Sequence, residues 1–158
     1  MHLQRIDHVG LAVEDLDEAV GHYERMFGAR SVHRERIDSD GVEEALVAVG
    51  PSFVQLLAPT RDDSPVRRFL DRNGPGVHHV GYGVADVAAT LANLKAEGYR
   101  VIDDEPRPGS RGTTVAFVHP KAAMGVLIEL VEDPALDGAA YVAPGHEPVP
   151  ADGEPSAG

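Results

Sequence analysis

Cysteine is absent from this chain of 158 residues. Disulfide-stapled scaffolds, zinc sites built on thiolates and cysteine nucleophiles are therefore excluded. Positive charge is also scarce, because 14 Lys and Arg face 26 Asp and Glu and the net charge is −12. A general nucleic-acid surface or anionic-membrane surface is disfavoured, since both require a positive field. Long apolar runs and a signal-peptide pattern are missing as well, so we predict a cytoplasmic protein that has no membrane contact.

An internal repeat is the strongest pattern in the sequence. The segment IDHVGLAVEDL, which starts at Ile6, aligns with VHHVGYGVADV, which starts at Val77, at an offset of about 71 residues. A second pair, VQLL from Val54 and IELV from Ile128, aligns at an offset of about 74 residues. Two matched pairs at nearly the same offset indicate that one structural module occurs twice.

Each copy of the repeat predicts a strand, a helix and three further strands. The first segment alternates apolar residues, as a half-buried strand does. Asp15 and Asp86 then have the position of helix N-caps, and Gly28 and Gly98 the position of helix ends. The later strands are predicted at 30–37, 43–49 and 53–58 in the first copy, and at 99–103, 113–119 and 126–131 in the second.

The predicted fold class is therefore α+β, with two tandem βαβββ modules that form one cupped, eight-stranded mixed sheet. Module one covers 4–60, a linker helix that begins with Ser64-Pro65 covers 64–74, and module two covers 76–132. These parts make a single domain, 1–132. The remaining segment, 133–158, is rich in Ala, Pro and Gly, carries five acidic residues and lacks Lys and Arg. We predict that it is a flexible, disordered tail.

Four polar side chains stand at matched places in the two copies. His8 and His79 lie in the first strands, and Gln55 and Glu129 lie in the last strands, each among apolar neighbours. Small residues alternate with each histidine, so a hollow is expected above each imidazole. Taken alone, each of these residues could be an ordinary polar group of the core or the surface. Together they form an N₂O₂ set that suits a divalent ion such as Mn²⁺, Co²⁺, Ni²⁺ or Zn²⁺.

Over residues 5–131 the chain resembles the vicinal oxygen chelate superfamily, and within it most closely the methylmalonyl-CoA epimerases. The more specific motifs are DSPVRRFLDRNGPGVHH from Asp63 and HPKAAMGVLIEL from His119. The resemblance implies a divalent metal in the cup, with its ligands at His8, Gln55, His79 and Glu129. It also implies a catalytic carboxylate at Glu44. Without the resemblance, Glu43 and Glu44 could both be charged surface residues of an edge strand.

The implied reaction is epimerisation of methylmalonyl-CoA, with ethylmalonyl-CoA as a further possible substrate. Abstraction of the C2 proton would give an enolate that a chelating metal stabilises. Glu44 would serve one face of the carbon, and Glu129 or a water would serve the other. Contacts with the acyl-CoA thioester are expected from Ser110, Arg111, His119 and Lys121. CoA phosphates need local basic groups, and the sequence offers two: Arg107, Arg111 and Lys121, or Arg61, Arg67, Arg68 and Arg72 around the linker helix. A homodimer is expected, because a cupped sheet exposes edges.

Three other functions fit the same predicted fold. A glyoxalase I-like glutathione lyase would use a similar ligand set but gives no role to Glu44. A ring-cleaving dioxygenase uses two histidines and one carboxylate, so Gln55 counts against it. A drug-binding module without catalysis would need no metal ligands.

Overall fold

The structure, a computed structural model, describes residues 2–136 and contains one eight-stranded sheet with three α-helices. The strands are β1 (Arg5–Ala12), β2 (Ser31–Ile37), β3 (Val42–Val49), β4 (Ser52–Pro59), β5 (Gly76–Gly83), β6 (Arg107–Pro108), β7 (Thr114–Val118) and β8 (Ile128–Glu132). The helices are α1 (Leu16–Phe27), α2 (Pro65–Asn73) and α3 (Val87–Ala96). Short 3-10 turns cover Ser110–Gly112, Pro120–Ala122 and Pro134–Leu136.

The strand order is β2-β3-β4-β1-β5-β8-β7-β6, so each half of the sheet comes from one copy of the repeat. Strand β1 runs parallel to β4 and antiparallel to β5, and β5 runs parallel to β8. The two halves therefore meet along β1 and β5, the strands that open the two copies. This arrangement confirms the predicted fold class of two βαβββ modules in a mixed sheet.

Local capping sets the limits of the three helices. The side chain of Asp15 accepts a hydrogen bond from the Glu18 N–H, and that of Asp86 accepts one from the Ala89 N–H. The Ser64 hydroxyl does the same for the Val66 N–H at the start of α2. Helix α1 ends at Gly28, whose φ of 65° is the left-handed conformation that glycine tolerates best. The predicted helix starts are thus correct.

The helices cover different faces of the curved sheet. On its outer face, α1 packs on β3 and β4, and α3 packs on β7 and β8. Helix α2 instead lies over one end of the inner face, where Val66 and Leu70 contact Ala12, Val42 and Leu57. The rest of the inner face remains open and carries the polar residues of both modules.

The strand predicted at 99–103 is wrong. This segment makes only an isolated bridge between Val101 and Val118, and the edge strand β6 forms further along the chain. The side chain of Asp103 accepts a hydrogen bond from the Phe117 N–H at 2.7 Å, in the place of a backbone ladder bond. Pro106 and Pro108 have no N–H to donate, which keeps the edge strand to two residues.

The described part of the chain ends just after the body of the domain. Most of the predicted tail, from residue 137 on, lies outside the described residues, and the division into a domain 1–132 and a tail stays a prediction. Its first residue, Asp133, contacts the body, where its Oδ2 accepts a hydrogen bond from Arg111 Nη1 at 3.3 Å. None of the helices in residues 2–136 combines the length and the apolar character that a membrane span requires.

Candidate metal centre and active site

The central strand pair places the two repeat histidines side by side on the inner face. In the β1–β5 register, His8 lies opposite Gly81, and His79 lies opposite Gly10. A Cβ atom added at either glycine would overlap the imidazole that lies across from it. The space for each ring is therefore supplied by a glycine of the facing strand, and only glycine at both positions allows the rings to approach each other.

Three side-chain donor atoms converge at this point. His8 Nε2 lies 2.9 Å from His79 Nε2 and 2.9 Å from Glu129 Oε2, and His79 Nε2 lies 3.1 Å from the same oxygen. All three residues are buried. Adjacent ligands of an octahedral ion with bonds of about 2.1 Å lie about 3 Å apart, so these separations fit cis positions around one cation.

Gln55 supplies the fourth predicted donor from strand β4, next to β1. Its Nε2 donates a hydrogen bond to Glu44 Oε2 at 2.5 Å, which fixes the orientation of the amide. Among the described residues, Gln55 Oε1 is buried and has no hydrogen-bond partner. A buried carbonyl oxygen without a donor is costly, and a cation is a partner that would satisfy it. The donor set therefore fits a divalent ion.

A second layer of polar groups orients the histidines. Asp7 Oδ1 accepts hydrogen bonds from His8 Nδ1 and from Arg111 Nη2, both at 2.9 Å, and Asp7 Oδ2 accepts one from Arg5 Nη2 at 2.8 Å. With its Nδ1 proton held by Asp7, His8 presents the Nε2 lone pair to the centre. On the other side, His78 Nδ1 lies 2.9 Å from the Nδ1 atom of His79.

Sequence analysis missed this second layer, although the repeat contains its signal. Asp7 and His78 occupy equivalent positions, each just before its histidine, and each contacts the Nδ1 atom of that histidine. A polar residue that precedes both candidate ligands was therefore visible in the alignment of the two copies.

The converging groups shift one another's proton affinities. Burial alone would lower the pKa of His8, but hydrogen bonds to Asp7 and Glu129 raise it to about 9. Burial would raise the pKa of Glu129, but its hydrogen bonds to His79 and His8 hold that pKa well below the usual range. Burial lowers the pKa of His79. Together these groups favour a positive charge at their centre, which a proton or a metal ion can supply.

Glu44 faces the same cavity, which has a volume of about 200 Å³. The side chain is fully buried, and this burial raises the pKa of Glu44. Glu43 points to the opposite side of β3, where its carboxylate accepts a hydrogen bond from Arg34 Nε at 2.8 Å. The structure thus separates the two acids that strand alternation left undecided, with Glu44 inside the cup and Glu43 at the surface.

Only two of the four predicted substrate contacts line this cavity. Ser110 and Arg111 do so, but the Arg111 guanidinium already binds Asp7 and Asp133, so it is not a free phosphate-binding group. His119 and Lys121 are not among the lining residues. His119 Nδ1 instead accepts the Lys121 N–H and caps a 3-10 turn, because β7 has ended at Val118 and the chain turns away from the cup.

Comparison with known proteins gives consistent matches over most of the chain. A model of the Glyoxalase/Bleomycin resistance protein/Dioxygenase superfamily matches residues 7–117. The chain is 37% identical over 129 residues to the mitochondrial methylmalonyl-CoA epimerase of Mus musculus, and this match covers 81% of the chain and 72% of the relative. It is 36% identical over 128 residues to the ethylmalonyl-CoA/methylmalonyl-CoA epimerase of Cereibacter sphaeroides, with coverages of 80% and 96%.

A solved structure supports the same likeness at the level of the fold. The structure of a Streptomyces coelicolor methylmalonyl-CoA epimerase variant in complex with 2-nitronate-propionyl-CoA superposes with a TM-score of 0.84. The sequence identity is 44%, and the match covers 87% of this chain and 100% of the other.

Proposed function

This chain belongs to the methylmalonyl-CoA epimerase family of the Glyoxalase/Bleomycin resistance protein/Dioxygenase superfamily, and we propose on this basis that it interconverts the two epimers of methylmalonyl-CoA at C2. The enzyme is then an isomerase of the epimerase class, dependent on a divalent metal ion. Ethylmalonyl-CoA is the second substrate that we propose, because the Cereibacter sphaeroides relative is named for both.

One observation carries this proposal: a fully buried carboxylate, Glu44, shares a cavity with three converging donor atoms of His8, His79 and Glu129. Proton abstraction next to a carbonyl needs a base with a raised pKa and a positive charge that stabilises the oxyanion. Burial raises the pKa of Glu44, which makes its carboxylate a stronger base. The converging donors are suited to hold the positive charge.

The side chains of the cavity have distinct roles in this reaction. Gln55 orients Glu44 through its amide N–H, so that Glu44 Oε1 is left to take the C2 proton of one epimer. Glu129 is the carboxylate that we assign to the opposite face of the carbon, with a water as the alternative. His8, Gln55, His79 and Glu129 would hold the ion, which supplies positive charge for the thioester and carboxylate oxygens of the substrate.

Apolar side chains surround the reacting carbon in this proposal and keep bulk water away from it. Leu57 and Val66 line the cavity from module one and the linker helix, and Val115 and Phe117 line it from module two. A water-excluded site strengthens electrostatic stabilisation of the developing enolate. Ser110 stands in the same lining and remains the polar contact that we propose for the acyl-CoA.

A glyoxalase I-like lyase is less well supported by the site. The same four donors would suit it, but it gives no role to a buried carboxylate that is held by one of the ligands. The epimerase assignment uses Glu44 directly. The identity of the ion, the homodimer and the cytoplasmic location stay predictions.

Solvent exchange tests the assignment. In D₂O, the metal-loaded protein is expected to incorporate deuterium at C2 of methylmalonyl-CoA while it converts one epimer to the other. Glu44→Gln is expected to keep the metal and to lose activity by about 100-fold or more, the effect typical of a general base. Glu43→Gln, a matched change on the outer face, is expected to leave both unchanged. His79→Ala is expected to lose metal and exchange together.

Metal-loaded protein that exchanges no deuterium would contradict the proposed function. Metal content is measured by elemental analysis of the same samples, so that loss of the ion is separated from loss of the base. A Glu44→Gln variant with full activity would leave the epimerase fold and metal centre in place but would remove the base that we assign.

A further inference from the structure

Strand β2 carries a polar pair on the inner face, beside the proposed base. Glu35 lies opposite Glu44 in the β2–β3 register, so the two side chains point to the same side of the sheet. His33 is two residues away on the same strand face, and its Nε2 lies 3.0 Å from Glu35 Oε2. One donor or acceptor atom from each of His33, Glu35 and Glu44 lies within 4.8 Å of the others.

Exposure changes sharply along this group. Glu44 is fully buried, whereas the side chains of His33 and Glu35 are 33% and 39% exposed. The pair therefore lies between the buried Glu44 and solvent on the module-one side. Gln55, which donates a hydrogen bond to Glu44, is buried beside the metal centre and leads away from the surface.

We propose that His33 and Glu35 form a proton relay, which carries the proton taken up by Glu44 to bulk water and returns one from it. The inference rests on the proposed function, because it assigns Glu44 as the base. It adds two residues that act on the base and do not touch the substrate. They are positioning and relay residues, and their effect is on how fast Glu44 is reset between turnovers.

The steps of the relay balance in protons and charge. The C2–H bond of the substrate breaks, its electron pair stays in the enolate, and its proton passes to Glu44. That proton then moves to the His33–Glu35 pair through one water, since polar atoms that lie within 4.8 Å of one another can share a bridging water molecule. The pair gains one proton and becomes neutral, and it releases that proton to solvent. The reverse path reloads Glu44.

The backbone supports the pair in this role. The Arg111 N–H donates to Glu35 Oε2 at 3.1 Å, and this hydrogen bond, together with that from His33, holds the pKa of Glu35 below its usual value. Glu35 is thus ionised, and both hydrogen bonds hold its carboxylate in place beside Glu44. Arg111 has a φ of 56°, an uncommon value for a residue other than glycine, and this conformation directs its N–H across the cup to β2.

The test compares His33→Gln and Glu35→Gln with two matched controls. His22→Gln changes an exposed histidine of α1, and Glu43→Gln changes the outer face of β3. In D₂O at low buffer concentration, the wild type is expected to exchange deuterium into the recovered starting epimer. In the relay variants, this exchange is expected to fall by about ten-fold relative to product formation, less than the loss of a general base itself. The effect should appear with only one of the two epimers.

Addition of imidazole buffer separates a relay from a structural role. A mobile proton carrier is expected to restore exchange in both relay variants and to leave the controls unchanged, because it replaces the lost path and not a lost contact. Thermal unfolding and metal content are measured on the same samples. The unfolding temperature and the metal content of each variant are expected to match those of the wild type. If one relay variant has a folding defect, the other variant tests the relay.

Three results would overturn the relay. The first is deuterium exchange in the relay variants that equals the exchange in the control variants. The proposed function would then still stand, because the wild type exchanges deuterium. A loss that imidazole does not restore would assign the pair a structural role. A second equivalent of metal in the wild type that disappears in Glu35→Gln would make the group a cation site. Absence of exchange in the wild type would instead reject the proposed function, and the relay with it.

Discussion

At the scale of the residue, Asp7 shows how much of a binding centre depends on groups that do not bind. This carboxylate is 1% exposed and contacts Arg5, His8 and Arg111. Burial would raise the pKa of Asp7, but hydrogen bonding to His8 and the charge of Arg111 lower it, so the group stays ionised. An ionised Asp7 holds the His8 Nδ1 proton and leaves Nε2 free for the ion.

Removal of the Asp7 charge should therefore weaken the metal centre and leave its ligands in place. We expect Asp7→Asn to lower metal affinity by about 10- to 100-fold, the range for groups that orient ligating histidines. A competition titration against a coloured chelator measures this directly. Asp62→Asn, at an exposed position, is the matched control and should keep wild-type affinity. Equal affinities for the two variants would show that His8 needs no orienting partner.

The four proposed ligands were predictable because they repeat, whereas their environment was not. The positions of His8 and His79 follow from the alignment of the two copies, with no need of a structure. The role of Gly10 and Gly81 depends on the register between β1 and β5, which includes a bulge between Gly10 and Leu11. Strand alternation can be inferred from a sequence but register cannot, so alternation alone predicts a hollow above the histidine of the glycine's own strand and not of the facing strand.

At the scale of the element, helix α2 connects the two modules and closes one end of the cup. Val66 and Leu70 pack on Ala12, Val42 and Leu57, and Val66 also lines the cavity. The helix starts at Ser64, which is fully buried and whose hydroxyl accepts the Val66 N–H at 3.2 Å. The cap is therefore inside the protein, where water cannot replace it.

We expect Ser64→Ala to lower the free energy of unfolding by about 1 kcal/mol, a typical cost of losing a serine N-cap. Urea denaturation measures the change. Ser39→Ala, in the exposed turn between β2 and β3, should stay within about 0.5 kcal/mol of the wild type. If both variants unfold at the same urea concentration, the hydroxyl of Ser64 contributes nothing to the start of α2.

Elements with local signals were predicted well, and elements set by distant contacts were not. Asp15, Ser64 and Asp86 cap their helices through neighbours two or three residues away, so the sequence contains the whole signal. The segment 99–103 looks like a strand, but the Asp103 side chain occupies a backbone donor of β7. The Asp103 side chain competes for this donor only because the two segments meet in the folded protein, and a local sequence pattern does not predict that contact.

At the scale of the whole molecule, the proposed metal ligands are divided equally between the modules. His8 and Gln55 come from module one, and His79 and Glu129 come from module two. The two halves are also joined by the β1–β5 ladder, by α2 and by the hydrogen bonds of Arg111 with Asp7 and Glu35. A bound ion would therefore act as a cross-link between the halves, and it would also be a shared partner for the two imidazole nitrogens and for the unpartnered amide oxygen of Gln55.

This arrangement predicts that the ion stabilises the fold. A ligand that binds only the folded state at about 100 times its dissociation constant adds about 2.7 kcal/mol to the free energy of unfolding. We expect the metal-loaded protein to gain an amount of this order over protein treated with a chelator, measured by urea denaturation with and without the ion. The gain is expected to vanish in Glu129→Gln, which removes the charge that faces both histidines, and to persist in Glu105→Gln, an exposed matched change. An equal gain in both variants would place the stabilising ion elsewhere, and the cross-link between the modules would then be wrong.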